Sequence, residues 1–138
     1  MLPHSEPSIL LVCTRCRVAG AELDAPRAGA ALFAAIRAAA LDRADIRVVG
    51  VGCLSGCKRA CAAALMAPGK VSYLFGDLPA DSAGADDLLA VAGAHAARTD
   101  GFLPRADRPE RLRAGILARL PPLYWIPADP GELVAWPA

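Results

Sequence analysis

Apolar runs in this chain are short and are cut by Pro, Gly or charged residues. Ser8–Cys13 (Ser-Ile-Leu-Leu-Val-Cys) is continuous and of strand length, which predicts a buried strand. Pro7 suits its entrance, because proline has no N–H to give to a ladder. From Pro26 to about Leu41 the apolar positions recur at helical spacing. Leu32, Phe33, Ile36 and Leu41 mark one stripe, and Arg37 falls on another face. Pro26 fits the first turn of that helix. Asp45–Gly52 is brief and β-branched, so a second strand is expected there. Strand, helix and strand in this order imply a parallel pair joined by a right-handed crossover.

Residues 60–67 are rich in Ala, which favours helix. The segment is short, however, and ends at Pro68-Gly69, so a strand that forms a hairpin with Lys70–Phe75 is the preferred reading. Ala83 to about Arg98 reads as a second helix, capped by Asp81 or Ser82, with Asp86 and Asp87 near its positive end. Gly101–Pro104 is a linker, and Arg108–Leu120, with Arg111, Arg113 and Arg119, reads as a short helix. From Pro121 the chain is too rich in Pro for regular structure, yet it holds Tyr124, Trp125 and Trp136. The expected fold class is α/β, in the order β-α-β-β-β-α, followed by a C-terminal helix and a Pro-rich tail. Residues 1–100 form the main domain. Residues 101–138 pack on it or on a partner, the tail either wrapping the domain or serving as a docking segment.

The chain has 138 residues, a net charge of +1, 55% hydrophobic and 21% charged residues, the composition of one folded domain rather than a disordered chain. Near-neutral charge, and no interleaving of aromatic with basic residues, argue against a nucleic-acid partner. The N-terminal sequence lacks a signal-peptide pattern, and no apolar stretch reaches the roughly 18–20 residues of a membrane span. A cytoplasmic protein is expected, a setting in which cysteine clusters more often bind metal or do redox chemistry than form structural disulfides.

The five cysteines carry most of the chemistry. Cys13-Thr-Arg-Cys16 follows the first predicted strand, and Cys53-Leu-Ser-Gly-Cys57 follows the second, with 36 residues (17–52) between the pairs. Parallel neighbours end at the same sheet edge, where open α/β sheets carry their sites, so both pairs come to one rim. Four thiolates suit a tetrahedral zinc or an iron–sulfur cluster. The second pair has the wider spacing, with Gly56 allowing a tight turn before Cys57, and that favours a two-iron cluster over a zinc ribbon. A redox dithiol at Cys13/Cys16, or simply buried thiols, remain open alternatives.

These spacings resemble those of the thioredoxin-like [2Fe-2S] ferredoxins and of the small iron–sulfur subunit of respiratory NADH dehydrogenase. Val71–Leu78, with the helix after it, is similar to the final hairpin and helix of that group. The resemblance covers about residues 8–99 and implies a thioredoxin-like fold. It implies Cys13, Cys16, Cys53 and Cys57 as ligands of a [2Fe-2S] cluster, and a homodimer, for which the aromatic tail offers an interface. The run from Cys53 to Cys61 (Cys-Leu-Ser-Gly-Cys-Lys-Arg-Ala-Cys) and the tail also resemble a small bacterial family of metal-binding proteins often encoded near cobalamin and cobalt-metabolism genes. The first pair departs from the group in being tighter. Ten residues, Arg17–Pro26, then separate it from the helix, whereas a thioredoxin dithiol starts its helix at the motif. Cys61 is extra, either a small buried residue or an alternative ligand or redox thiol.

Arg15, Arg17, Lys58 and Arg59 flank the ligand candidates and are either solvated charges or groups that favour a reduced cluster and steer an acidic partner. Backbone N–H groups of Leu54–Gly56 are candidates for hydrogen bonds to sulfur. His4 and His95 are the chain's two histidines, and His95 is expected as a surface or half-buried side chain on the second helix. Asp77, Asp81, Asp86 and Asp87 read as capping and solvated residues, and Gly50-Val-Gly52 is no dinucleotide fingerprint. The expected function is therefore electron transfer by a ferredoxin-like carrier, not an enzyme, serving an unidentified redox enzyme; the family association implies cobalamin metabolism. The rivals are a structural zinc or metal-handling protein and a thiol–disulfide oxidoreductase using Cys13 and Cys16.

Overall fold

Ser8–Cys13 forms strand β1 in a computed structural model of the chain, which describes residues 6–137. Its alternation sets two faces: Leu10 and Val12 are fully buried, whereas Ile9 and Leu11 are half-buried. Strand β2, Ile46–Val51, lies parallel to β1, with Ser8 opposite Ile46 and Cys13 opposite Val51. The crossover between them carries helix α1, Ala28–Ala39, which buries Leu32 and Ile36. The predicted stripe is corrected at its end. Ala40 closes the helix, so Leu41 loses the helical phase and stands 79% exposed.

Residues 60–67 contain a strand, β3 (Ala63–Met66), which pairs antiparallel with β1 and with β4 (Ser72–Phe75). The β3–β4 turn needs Gly69, whose φ of 69° lies in the left-handed region. Helix α2, Ser82–Ala97, is capped by Asp81, whose carboxylate accepts from the N–H of Ala83 at 3.0 Å and of Gly84 at 3.3 Å. Asp86 and Asp87 lie beyond the first turn, and Asp87 instead accepts from Arg111 at 2.6 Å.

The helix expected over Arg108–Leu120 is corrected. Only one turn, α3 (Arg111–Ala114), is helical, and Ile116–Leu120 is a fifth strand, β5, antiparallel to β4. An uncovered β4 edge would leave a row of backbone N–H and C=O groups without partners, and pairing outweighs the weak helix preference of this stretch. The sheet order is β2-β1-β3-β4-β5. The tail folds back on this edge. The Arg119 guanidinium lies 4.1 Å from the Trp136 ring centre and 5.7 Å from that of Phe102, and Trp125 meets Trp136 edge-on.

Helices α1 and α2 pack against each other and both against β1, so they share one face of the sheet. Leu10, Val12, Leu65, Tyr73 and Phe75 are buried on that side. Among the described residues no helix covers the opposite face: Ile9, Leu11, Ala64 and Leu74 are half-buried, and Met66 is 46% exposed. Among the described residues no helix is long and apolar enough to cross a membrane.

His95 is also corrected. It is fully buried rather than surface or half-buried, because α2 turns that position onto the sheet. Nε2 lies 2.7 Å from the Val71 carbonyl, which can only accept, so Nε2 carries the proton. Nδ1 then accepts from the Ser8 hydroxyl at 2.6 Å, and this pair ties the end of α2 to the start of β1. Burial holds the ring below the ordinary histidine value, with the nearby Lys70 acting in the same direction and Val71 and Asp100 opposing. Above pH ~6.5 the ring is neutral in folded and unfolded chains alike; below it the unfolded chain takes up a proton that the folded one resists. Urea denaturation should therefore show stability falling as pH drops from 7.5 to 5. H95A should cost about 1–3 kcal/mol at pH 7.5, by leaving Ser8 and Val71 unpaired, and should flatten that pH slope.

Candidate metal centre

The equal ends of β1 and β2 fix the site. Thr14 follows Cys13 and donates to the Val51 carbonyl twice, from its N–H at 2.9 Å and its hydroxyl at 3.2 Å. The chain leaving β2 therefore starts beside the first cysteine pair. The Cys13 N–H donates to the Ala62 carbonyl at 3.1 Å, and Cys61 exchanges two backbone bonds of 3.2 Å with Leu78. The backbones carrying all five cysteines gather at one end of the sheet.

Helix α1 reaches the same place from below. The Gly29 N–H donates to the Cys16 carbonyl at 3.0 Å, and a Cβ at Gly29 would lie 2.0 Å from the Cys13 carbonyl oxygen. Only glycine permits this approach. The intervening loop is held by Arg27, which donates to the Arg15 carbonyl at 3.0 Å, and by Arg17, which donates to that of Leu23 at 2.8 Å. Ten residues thus separate the first pair from the helix in sequence but not in space. The ten-residue spacing therefore does not remove the first pair from the start of α1, and by itself does not disfavour a thioredoxin-like dithiol.

Burial divides the thiols. Cys13, Cys16 and Cys61 are buried, whereas Cys53 and Cys57 are exposed. Burial pushes the Cys13 thiol up, but a hydrogen bond with Cys16 and the N–H groups of Arg15, Leu54 and Cys16 outweigh it and leave Cys13 below its ordinary value. Burial pushes Cys16 up to about 12, against the N–H of Ala62 and with the Cys13 and Cys61 charges adding to the rise. Cys61 is also raised by burial, and then by Cys13. Of the expected sulfur donors, Leu54 N–H meets Cys13 and Ser55 N–H meets Cys53 at 3.2 Å, with Ser55 at a φ of 57°. Gly29 and the Ala62 amide are contributors that the cysteine spacing does not signal.

Cys57 opens a single 3-10 turn, Cys57–Arg59, and Gly56 packs so close to Ala62 that a Cβ would lie 2.9 Å from that methyl. Cys53 and Cys57 line an open groove of about 480 Å³ with Lys58, Leu74 and Leu117. Arg59 is paired with Asp77 through two bonds of 2.8 and 2.9 Å from Nε, whereas Lys58 has no ion pair among the described residues. Arg15 is exposed and has no ion pair among the described residues. His4 lies outside the described residues.

Among the described residues no three Cys, His, Asp or Glu side chains converge on one metal-binding point. The buried Cys13/Cys16 pair and the exposed Cys53/Cys57 pair share a rim without closing on each other. Their chemistry nevertheless fits a thiophilic group: four sulfurs, with amide donors aimed at Cys13, Cys16 and Cys53, make a donor set for soft metals and iron–sulfur clusters.

A family model described as "Protein of unknown function (DUF1636)" matches residues 10–122. Among solved structures, a thioredoxin-like [2Fe-2S] ferredoxin from Aquifex aeolicus matches with a TM-score of 0.52 at 14% identity, over 86% of this chain and 97% of that one. No curated protein matches. The structural likeness establishes a thioredoxin-like α/β fold built here on a five-stranded mixed sheet.

The burial pattern predicts alkylation order. In metal-free native protein, iodoacetamide should label Cys53 and Cys57 at least about tenfold faster than Cys13, Cys16 and Cys61. Peptide mass spectrometry reads the order, and denaturation should erase it. G29A should lower stability by roughly 1–3 kcal/mol and speed labelling of Cys13 and Cys16, because the added methyl forces α1 off their loop.

Proposed function

The chain belongs to DUF1636, a family of proteins of unknown function, and for this member we propose one-electron transfer through a [2Fe-2S] cluster held by Cys13, Cys16, Cys53 and Cys57. The observation that carries the reading is the parallel register of β1 and β2, which starts both cysteine pairs from one sheet end. The backbone N–H groups of Arg15, Leu54 and Cys16 at Cys13 support it, since they favour the thiolate form of that sulfur. So does the ferredoxin with this fold.

A bound cluster would supply reversible uptake and release of one electron. The chain's own residues do the rest. Cys13 and Cys16 would anchor the inner side from a nearly water-free position. Leu54, Ser55 and Ala62 would hold the sulfurs through their N–H groups, and Gly29 would fix the first loop against α1. Lys58 would add positive charge near the outer pair, which favours the reduced form. Cys61, buried beside the inner pair, is not needed as a fifth ligand. A role in cobalamin metabolism is the proposed setting.

One observation favours a second reading. The Cys13–Cys16 hydrogen bond, with one thiol lowered and the other raised, is the asymmetry that a redox dithiol uses. The burial of both sulfurs opposes it, because a protein disulfide cannot reach them without the rim opening.

The test is a visible spectrum of protein purified without oxygen, or reconstituted with iron and sulfide, with iron and acid-labile sulfide assayed on the same sample. Two irons and two sulfides per chain, and a red-brown colour that dithionite bleaches, are expected. Changing Cys13, Cys16, Cys53 or Cys57 singly to Ser should lose or shift the spectrum, and C61S should keep it. One tightly held zinc in a colourless protein, or rapid turnover of disulfide substrates that C16S abolishes, overturns the proposal.

A further inference from the structure

The uncovered face of the sheet runs directly into the groove beneath the second cysteine pair. Strand alternation places Cys13 on the same face as Ile9 and Leu11, under the loop that carries Cys53 and Cys57. The register extends this face in rows. One is Val49, Leu11, Ala64, Leu74 and Ala118; the next is Arg47, Ile9, Met66, Ser72 and Leu120. Leu74 lines both the cysteine groove and a second hollow of about 230 Å³ that runs on to Met66 and Leu120. The apolar strip and the thiol rim are therefore one continuous surface.

Its charge has one sign. Among these ten outward positions there is no carboxylate, and the single charged residue is Arg47. At the cysteine end stand Lys58 and Arg59, and the acid beside them, Asp77, is already paired with Arg59. A protein apposed here must bury apolar side chains and bring carboxylates to the rim. A second copy offers the same apolar strip but sets Arg47 and Lys58 against a face that presents no free acid among the described residues.

We propose that this face is the docking surface of the redox partner, and that the partner presents an apolar patch rimmed by Asp and Glu, with electrons leaving through the exposed Cys53/Cys57 side. The inference rests on the cluster reading above and adds the chemistry of its partner. Cys53 and Cys57 are the exposed members of the set, so a docked acceptor comes closest to the metal on that side. The apolar strip supplies non-directional adhesion, and the cations supply orientation and speed of encounter.

Dithionite-reduced protein is mixed with hexacyanoferrate(III), a trianion, or hexaamminecobalt(III), a trication. In each reaction the protein gives up one electron and the complex takes it, Fe(III) becoming Fe(II) and Co(III) becoming Co(II). The sign of the salt dependence, rather than absolute rate, reads the charge of the exit. The anion's rate should fall with added salt and the cation's should rise. K58E should slow the anion about threefold or more at low salt with the visible spectrum kept. Salt dependences of equal or opposite sign to these, with the cluster present, overturn the inference while leaving the cluster reading intact. Sedimentation should give no dimer that L74E dissolves; such a dimer assigns the face to a second copy and also overturns it. A colourless protein defeats the cluster reading, and the surface is then tested on the metal-free chain. There Cys53 and Cys57 should react faster with the dianionic dithiobis(nitrobenzoate) than with cationic cystamine after scaling each to a free thiol, with K58E reducing that preference; no preference overturns the inference.

Discussion

Two neighbouring strands that run in the same direction must end at the same edge, and in this chain the pairing of β1 with β2 governs everything that happens at the cysteines. Parallel strands cannot be joined by a tight turn, so the chain spends residues 14–45 on a crossover and buries its apolar stripe in α1. The register then sets Cys13 against Val51, and the doubled bond from Thr14 to Val51 holds the two exits side by side. A slip by one residue would turn Leu10 and Val12 from the core to the open face and Cys13 from the open face toward the helices. Core packing and cysteine placement are thus secured by the same ladder.

That coupling explains why much of the fold was legible. β1, β2, α1 and α2 announce themselves by runs and periodicity that coincide with burial, and Pro68-Gly69 marks the β3–β4 turn. β5 was not legible, because Ile116–Leu120 is short, carries Arg119 near its end and follows an Arg-rich turn; its structure comes from the free edge of β4, a partner some forty residues away in sequence. His95 was misread because α2 is rich in small apolar residues all round, so its pattern does not say which side meets the sheet. The cysteine spacing gave the set of thiols and their common rim. It carried no information on depth, and the split between three buried and two exposed sulfurs appears only once the loop 52–59 folds over β1.

Depth gives the rim two different chemical sides. The inner pair sits among backbone N–H groups and packed aliphatic side chains, surroundings that exchange little with solvent. The outer pair faces water, Lys58 and an apolar strip. On the proposed cluster reading, a redox centre bridging such sides would have its environment set from within and its traffic set from without, and the two could be altered by different residues: Gly29 and Ala62 on one side, Lys58 and Leu74 on the other.

The hydrogen bond from Gly29 to Cys16 closes the excursion of residues 17–28 at its base. Its ends are pinned by α1 and β1, and its interior contributes two arginine contacts to backbone carbonyls but no thiol. The entropy of closing a loop grows only slowly with length, about 0.6 kcal/mol for each doubling. Descent can therefore lengthen, shorten or redecorate this excursion while the cysteine rim stays in place, which makes it the part of the molecule most open to divergence between related chains.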